Sequence, residues 1–297
     1  GPNVRYAMLA YTTWSILDGS PGRGGWKWAW QAGITRVLRG NFLWRFSAAG
    51  RGPIKMERTV PLPAEDGPYI FTNHPHGIIG VAPMTNFGTT VSGFDELFPG
   101  ISVHLLGATS IFRIPFFREW CLLHGHGTVD RACCLRLLKE GRSIALAPGG
   151  ARESLESVPG TMRLILKRRK GFARLALASG AAVVPVLSFG ENELYRTLQF
   201  KEGSWGRWCQ RVLQRLAGFT LPLFIGRSWA LPILPQRVPI STVVGAPVRP
   251  DRPCTEGSKV EDGDVDALHL KYCEALQQLF DQHKAAHGLK DAQLELV

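Results

Sequence analysis

Short apolar runs that alternate with helix-like stretches restrict the fold of this chain more than any other feature of its sequence. From Pro68 onward, runs with strand character are separated by segments with helical periodicity. The strand candidates are residues 69–71, 101–106, 143–147, 182–189 and 241–244, and the helix candidates are 78–91, 115–124, 131–140 and 171–179. Alternating strands and helices are typical of α/β proteins. We therefore predict a mixed, mainly parallel central sheet flanked by helices.

The helix candidate from Arg131 to Glu140 has its own start and stop signals. Asp130 precedes it and can accept hydrogen bonds from its first turn, while Gly141 stands where glycine ends many helices. A longer helix is predicted from Val265 to His287, after a surface loop that contains acidic residues, Pro and Gly.

The N-terminal part of the chain differs in composition. Residues 1–66 contain five of the nine tryptophans, mixed with Gly and basic residues. Aromatic rings beside Arg and Lys are typical of a layer at the membrane interface, and ordinary packing of an irregular segment is an equal alternative. We therefore divide the chain into an N-terminal membrane-interface segment, 1–66, and one folded domain, 67–297.

Basic residues outnumber acidic residues by 35 to 24, which gives a formal net charge of +11. A polyanionic partner is expected, and nucleic acid, anionic lipid headgroups and the phosphates of coenzyme A all qualify; a solubilising surface is the plain alternative. Arg207, Arg211 and Arg215 share one face of a predicted helix. That face suits either a membrane surface or a solvated layer over a packed core.

Membrane-spanning and secretory signals are not seen in the sequence. No run reaches the roughly 18 apolar residues that a spanning helix needs, and no signal peptide is visible. The chain begins at Gly1 and not at Met, which leaves room for hydrophobic sequence upstream. The six cysteines have no CxxC pair or framework spacing, so reduced thiols facing the cytosol are the simplest interpretation.

Two motifs follow predicted strands and carry residues suited to catalysis. In Asn73-His74-Pro75-His76-Gly77 a histidine can act as a general base, although a histidine satisfied within a turn is the competing interpretation. The second motif, residues 148–153 (PGGARE), is called the diglycine motif below. Its Gly149 and Gly150 can present main-chain N–H groups to an oxyanion or phosphate. Glu153, three residues later, could orient and stabilise a protonating imidazole, or be an ordinary surface or helix-start carboxylate.

Two further motifs lie beside predicted strands. Arg169 and Lys170 open a helix whose N-terminus would bind phosphate well, and Phe189-Gly190-Glu191-Asn192-Glu193 ends the next strand. All the motifs lie at the carboxyl ends of strands, so one cleft could gather them. No phosphate-binding P-loop and no nucleophile elbow are present. His124 and His126 have no nearby third ligand, so no metal site is predicted.

Together these motifs resemble those of the type-2 diacylglycerol acyltransferase family, which also includes monoacylglycerol and wax-alcohol acyltransferases. The resemblance runs from about Pro68 to the C-terminus, and the family's hydrophobic N-terminal hairpin is not seen. The segments that carry it are 74–77 (HPHG), 149–155 (GGARESL), 169–172 (RKGF), 184–186 (VPV), 189–193 (FGENE) and 202–208 (EGSWGRW).

The resemblance implies an O-acyltransferase that transfers a fatty acyl chain from acyl-CoA to diacylglycerol and forms triacylglycerol. Acyl-CoA is then a co-substrate, with no permanently bound cofactor and no metal. The expected location is the cytosolic face of the endoplasmic reticulum membrane, with the lipid droplet as a second site. The fold is expected to be related to that of glycerolipid acyltransferases, with residues 67–297 as the acyltransferase domain. No nucleic-acid partner is expected, and a homo-oligomer is left open.

The resemblance also assigns catalytic roles. In plant members the first histidine position is typically Glu while the second histidine stays, which favours His76 as the base. His74 is then a supporting neighbour, and it is also an alternative base because Asn73-His74 fits the pattern of glycerolipid acyltransferases. Glu153 is the expected partner that stabilises the imidazolium of His76.

Substrate-binding roles follow in the same way. Main-chain N–H groups near Gly149 and Gly150, or the ring of His74, would steady the tetrahedral oxyanion. Arg152, Arg169 and Lys170 are the candidates for the coenzyme A phosphates.

Three alternatives remain open from the sequence. The same centre could transfer the acyl chain to monoacylglycerol or a long-chain alcohol, because acceptor choice depends on pocket shape. A non-catalytic lipid-binding protein of the lipid-droplet surface would use the arginines and tryptophans and not the histidines. A nucleic-acid binder is the weakest alternative, since no base-reading module is present.

Overall fold

The structure is a computed structural model that describes residues 2–34, 37, 54–197, 200–201, 203–217, 224–229, 232–251 and 260–297. A seven-stranded sheet lies at the centre of this described part of the chain, in the order β1-β10-β7-β2-β5-β3-β4. Its strands are β1 (Ile54–Arg58), β2 (Tyr69–His74), β3 (Val103–Gly107), β4 (Gly127–Thr128), β5 (Ser143–Leu146), β7 (Ala182–Phe189) and β10 (Ile240–Val244). The pairing is parallel except between β10 and β7. The prediction of a mixed, mainly parallel sheet is confirmed.

Helices cover both faces of the sheet. They are α1 (Pro2–Leu17), α2 (Lys27–Gln31), α3 (Val81–Phe87), α4 (Phe94–Leu97), α5 (Phe117–Leu123), α6 (Arg131–Lys139), α7 (Gly171–Ser179), α8 (Trp205–Ala217) and α9 (Asp262–His283). Two small sheets pair β6 (Met162–Leu164) with β11 (Leu294–Leu296) and β8 (Arg196–Thr197) with β9 (Phe224–Ile225). No helix within the described ranges is long and apolar enough to cross a membrane.

Two apolar cores lie on opposite faces of the sheet, because successive side chains of a strand point to opposite sides. On one face Ile70 of β2 packs in the core that includes α6, α7 and α9. On the other face Phe71 lies 5.4 Å from Phe87 and 5.5 Å from Phe94, measured between ring centroids. Every residue of β2 and β7 is buried. Burial on both faces explains why the central strands read as continuous apolar runs.

Local signals place several elements where the sequence predicts them. Asp130 Oδ1 accepts a 2.9 Å hydrogen bond from the N–H of Cys133 and so caps α6. Gly141 follows α6 with φ +74°, a conformation that glycine adopts without strain. The long C-terminal helix is also confirmed as α9, and it begins at Asp262, slightly earlier than predicted.

The stretch assigned to a membrane-interface segment contains one strand of the central sheet. β1 pairs with β10 over five residues, from Ile54 opposite Ile240 to Arg58 opposite Val244. The sequence did not predict this strand, because three of its five residues are charged and β1 lies at the edge of the sheet.

Helix α1 is held to the rest of the protein by a buried charge cluster. Arg118 on α5 is 1% exposed and forms ion pairs with Asp18 and Glu119. Its guanidinium lies 4.8 Å from the ring of Trp14, and the hydroxyl of Tyr11 donates to Glu119 over 2.7 Å. Against the effect of burial, hydrogen bonds from Ser20 and Arg118 lower the pKa of Asp18, and those from Tyr11 and Arg118 lower the pKa of Glu119. These contacts fix one face of α1 and leave others exposed.

The arginines predicted to form one row on α8 differ in burial. Arg207 is 9% exposed and forms a 2.7 Å ion pair with Glu156, whereas Arg211 is exposed. The side chain of Arg215 lies outside the described residues. Trp205 and Trp208 stack at 4.7 Å on the outside of the same helix.

Candidate active site

Three parallel strands deliver the predicted motifs to one edge of the sheet. β2 lies between β5 and β7 and is parallel to both. The histidine turn, residues 73–77, lies at the end of β2. The diglycine motif follows β5, and Glu191 follows β7. Because the carboxyl ends of adjacent parallel strands meet at one edge, these three segments, far apart in the sequence, become neighbours in space.

Glu153 contacts His76 through the main chain. It lies in a 3₁₀ helix, Gly150–Leu155, and is 1% exposed. Oε1 accepts the main-chain N–H of His76 at 2.6 Å, and Oε2 accepts the N–H of Ile165 at 2.9 Å. Burial raises the pKa of Glu153 to about 7, against the opposing effect of these two N–H groups and of Arg169. The carboxylate therefore fixes the backbone of the histidine turn, and the ring of His76 bonds elsewhere.

The diglycine motif leaves space for that carboxylate. A Cβ atom on Gly149 would lie 2.0 Å from Oε2 of Glu153, so any larger residue would displace the side chain. Gly150 has φ +59°, and its N–H donates to the carbonyl oxygen of Ala147 over 3.1 Å. The N–H of Gly150 is thus already bonded, and it could serve an oxyanion only if this turn opened.

His76 is held in the form that a general base requires. Its Nδ1 lies 2.9 Å from the carbonyl oxygen of Gly77. A carbonyl oxygen can only accept, so the neutral ring carries its proton on Nδ1 and keeps a lone pair on Nε2. Burial lowers the pKa of His76, which favours the neutral ring at neutral pH.

His76 is one of the residues that line a small apolar cavity. The cavity has a volume of about 100 Å³ and is walled by α3, β3 and α5. Its lining residues include Ile79, Met84, Leu105, Ile111, Phe112, Phe117 and Cys121. His126 also lines the cavity, and burial raises the pKa of the Cys121 thiol to about 12, so this thiol is uncharged at neutral pH. Small-molecule sites typically measure about 300–1,000 Å³, so this cavity admits part of a substrate and not a whole acyl chain.

His74 lies deeper than His76. It is fully buried, its Nε2 lies 2.8 Å from the hydroxyl of Tyr272, and burial lowers its pKa to about 3. Nδ1 is buried and has no hydrogen-bond partner among the described residues. An unpaired buried acceptor costs about 1–3 kcal/mol. His74 is absent from the cavity lining, so His76 is the better placed of the two to meet a substrate.

Glu191 is a second buried carboxylate that braces the histidine turn. Its Oε1 accepts the N–H of Val81 at 3.1 Å, and its Oε2 accepts the N–H of Ala82 at 2.6 Å. These are the first N–H groups of α3, which have no partner within the helix. A Cβ on Gly77 would lie 2.0 Å from Oε1 of Glu191, which explains the glycine there. The sequence indicated the motif around Glu191 but gave this residue no role.

A buried polar network supports Asn73, which precedes His74. The Ser188 hydroxyl donates to Oδ1 of Asn73 at 3.0 Å and lies 3.1 Å from Oγ1 of Thr242. Asn86 Nδ2 donates to the same Oγ1 at 2.8 Å. Sequence reasoning missed these residues. The signal was Ser188, the one polar residue of β7, and the pair Ser241 and Thr242 within β10.

The predicted phosphate-binding residues have different surroundings. Arg169 Nη2 lies 3.4 Å from the carbonyl oxygen of Gly149, beside the carboxylate of Glu153. Lys170 Nζ forms a 2.6 Å ion pair with Asp266 of α9, and Arg152 is exposed. Arg169 is thus near the diglycine motif, whereas Lys170 would have to exchange a carboxylate for a phosphate.

The described part of the chain contains no group of three or more His, Cys, Asp or Glu residues that could hold a metal ion. His124 and His126 pack against Trp120, with ring centroids 4.3 and 5.6 Å from the indole.

His76 lines an apolar cavity, on a backbone that two buried carboxylates hold, and this arrangement suits acid–base chemistry on an apolar substrate. Fold and site together are those of a candidate α/β enzyme. More particularly, the chain belongs to the diacylglycerol acyltransferase family, whose model matches residues 3–297.

Curated relatives align with almost the whole chain. Diacylglycerol O-acyltransferase 2A of Umbelopsis ramanniana is 39% identical, and the alignment covers 98% of this chain and 81% of the relative. Diacylglycerol O-acyltransferase 2 of Xenopus tropicalis is 40% identical, with 97% and 78% covered. The 2-acylglycerol O-acyltransferase 3 of Homo sapiens is 37% identical, with 97% and 81% covered. No solved structure matches the chain.

Proposed function

We propose that the protein transfers a fatty acyl chain from acyl-CoA to the free hydroxyl of diacylglycerol and forms triacylglycerol. Membership of the family supports the reaction class. The observation that carries the mechanism is the state of His76, a residue of the apolar cavity whose Nδ1 is bonded to Gly77 and whose Nε2 is left unprotonated.

In the proposed reaction, Nε2 of His76 removes the proton of the glyceride hydroxyl while its oxygen attacks the thioester carbon. The tetrahedral oxyanion then collapses, the C–S bond breaks, and the imidazolium returns the proton to the departing coenzyme A thiolate. No covalent acyl-enzyme is needed. Glu153 holds His76 by its main-chain N–H, and when ionised it adds negative charge close to the imidazolium.

Binding of the two substrates is proposed from the surroundings of this centre. Arg152, Arg169 and Lys170 would meet the phosphates of coenzyme A outside the cavity. The apolar lining would take the reacting end of the glyceride and the thioester, with the chains extending out of it. The fold is proposed to be related to that of glycerolipid acyltransferases, with residues 67–297 as the acyltransferase domain.

The site of action is proposed to be the cytosolic face of the endoplasmic reticulum membrane, or the lipid droplet. Helix α1 supports this by exposing a large apolar surface, with Leu9, Ile16 and Leu17 each at least 66% accessible. Exposed Trp205, Trp208 and Trp229 would add interfacial anchors.

The test of the base is acyl transfer from labelled acyl-CoA to diacylglycerol by purified protein in detergent. His76→Ala should lower kcat by about 100-fold or more, because a positioned general base contributes about 10²–10⁴-fold. His283→Ala is a matched control, since among the residues that the structure describes its ring bonds the carbonyl oxygen of Leu279 on its own helix. A His76→Ala protein within tenfold of the parent would exclude His76 as the base. Membrane binding without any thioester turnover by the parent would favour a lipid-binding protein.

Monoacylglycerol is the second candidate acceptor, because a 2-acylglycerol O-acyltransferase is nearly as similar as the diacylglycerol enzymes. One acyl-CoA offered with monoacylglycerol, diacylglycerol and hexadecanol together distinguishes the acceptors. Triacylglycerol as the main product supports the first proposal, and diacylglycerol or wax ester as the main product contradicts it.

A further inference from the structure

Tyr272 brings a hydroxyl from the C-terminal helix to the buried end of β2. Its Oη lies 2.8 Å from Nε2 of His74 and 2.6 Å from Oγ1 of Thr72. All three residues are fully buried, although 198 positions separate His74 and Tyr272 in the sequence. No motif in the sequence pointed to Tyr272, which there looks like one more apolar position of a long helix.

The donors and acceptors in this chain of hydrogen bonds can be assigned. Oγ1 of Thr72 lies 2.9 Å from the carbonyl oxygen of Val184, which can only accept, so the threonine proton goes there. Oγ1 of Thr72 must then accept the proton of the Tyr272 hydroxyl. That hydroxyl can in turn only accept from Nε2–H of His74. The chain therefore fixes the proton of His74 on Nε2 and leaves Nδ1 unprotonated.

We propose that Tyr272 is a positioning residue for the histidine pair: its hydroxyl fixes the tautomer and ring orientation of His74 and thereby the turn that presents His76 to the substrate. This rests on the proposed function, because the effect on turnover requires His76 to be the base. His74 has one side-chain hydrogen bond among the described residues, so no other polar contact holds its ring.

The packing of Tyr272 allows its hydroxyl to be tested alone. The phenol ring meets Phe172 edge-on at 4.6 Å and lies in the core formed by α7, α9 and the sheet. Tyr272→Phe keeps this ring and removes only the oxygen that joins His74 to Thr72. Tyr69→Phe is the matched control, since Tyr69 is buried at the other end of β2 and its hydroxyl donates to the carbonyl oxygen of Pro63 at 2.7 Å.

Steady-state acyl transfer measured with diacylglycerol and varied acyl-CoA gives the first readout. Tyr272→Phe should lower kcat by about 10- to 100-fold with KM for acyl-CoA within about twofold, because a misplaced base slows the chemical step and not binding. Tyr69→Phe should stay within about twofold of the parent in kcat. A Tyr272→Phe protein with the kcat of the parent would overturn the proposal.

Variants of Thr72 separate hydrogen bonding from packing if Tyr272→Phe does not fold. Thr72→Val keeps the shape of the side chain and loses the acceptor for the Tyr272 proton, whereas Thr72→Ser keeps the acceptor and loses a methyl group. We expect Thr72→Val to lower kcat several-fold and Thr72→Ser to remain near the parent. The reverse order would show a packing role and contradict the proposal.

The tautomer of His74 provides a readout that does not depend on turnover. In ¹⁵N-histidine-labelled protein, with the resonances assigned by a His74→Gln variant, the parent should carry the proton on Nε2 and Tyr272→Phe should lose that signature. Retained activity of His76→Ala together with this tautomer change would reject the proposed base and support the positioning of His74. A parent protein with the proton of His74 on Nδ1 would reject the positioning role.

Discussion

The carboxylate of Glu153 accepts a 2.6 Å hydrogen bond from the main-chain N–H of His76, across 77 positions of sequence. The bond ties the end of β5 to the end of β2 at the point where the proposed base enters the cavity. Since the second oxygen of Glu153 is bonded to the N–H of Ile165, both oxygens are occupied by main-chain donors. The main role of Glu153 is therefore to position His76, and stabilising the charge of the imidazolium is a secondary role.

Substitutions of Glu153 should lower kcat in proportion to how much of this hydrogen bond they remove. Glu153→Gln retains one oxygen that can accept from His76, so kcat for acyl transfer should fall by about tenfold. Glu153→Ala removes the bond and leaves two buried N–H groups unpaired, so a loss of about 100-fold or more is expected. Equal losses in the two variants would instead indicate that the negative charge, and not the position, is what matters.

The pH dependence of stability should also change in Glu153→Gln. Burial raises the pKa of Glu153 from 4.5 to about 7, so between these values the folded protein holds a proton that the unfolded chain has released. This carboxyl therefore lowers the stability as pH rises from about 4.5 to about 7, and its effect is constant above that range. Compared with Glu153→Gln, the parent should lose about 2–3 kcal/mol of unfolding free energy between pH 5 and pH 8.

Urea unfolding of both proteins at pH 5 and pH 8 measures this difference directly. Glu153→Gln is the control for the parent, because the two proteins share every other titrating group. Parallel pH profiles for the two proteins would mean that Glu153 does not titrate in this range.

Gly149→Ala should lower the activity, although alanine at this position introduces no backbone strain. Gly149 has φ −63°, which suits any residue, but a Cβ there would lie 2.0 Å from Oε2 of Glu153. The carboxylate must then move away from His76, so we expect kcat to fall by about 100-fold and stability by about 1–3 kcal/mol. Gly263→Ala, at the start of α9 with no atom within 4 Å of the added Cβ, is the control and should match the parent. Normal kcat in Gly149→Ala would show that Glu153 can move without loss.

The sequence predicted those parts of the fold that local signals determine. β7 has the predicted bounds, 182–189, because a strand buried on both faces is a continuous apolar run, and α6 follows its cap Asp130 and its terminal Gly141. β1 was missed because its charged residues are tolerated at a sheet edge. The alternation of strands and helices was also enough to predict that the histidine and diglycine motifs lie at one edge of the sheet.

The details of the site depend on contacts that residue types do not encode. A motif identifies Glu153, but only the three-dimensional arrangement shows that it bonds the main chain of His76 and not its ring. Tyr272 illustrates the same limit, because a tyrosine on the apolar face of a helix has no sequence feature that links it to His74.

The ion pair between Lys170 and Asp266 leads to a prediction for coenzyme A binding. Nζ of Lys170 lies 2.6 Å from Oδ1 of Asp266. Lys170 is partly exposed and Asp266 is exposed, so the pair contributes little to stability. If Lys170 binds a phosphate of coenzyme A, Asp266 competes for the same ammonium. Asp266→Asn should then lower KM for acyl-CoA by about 2- to 5-fold at low ionic strength, and Lys170→Met should raise it by a similar factor.

Steady-state kinetics at low and high salt give the measurement, with kcat expected to be unchanged in both variants. Asp251→Asn is the matched control, because it removes the same charge from an exposed pair with Lys271, in a groove lined by Leu177 at the other end of α7. Salt should reduce the difference between Asp266→Asn and the parent, since exposed charges are screened within about 8–10 Å at physiological ionic strength. An equal drop of KM in Asp251→Asn would assign the effect to net charge and remove Lys170 from the binding site.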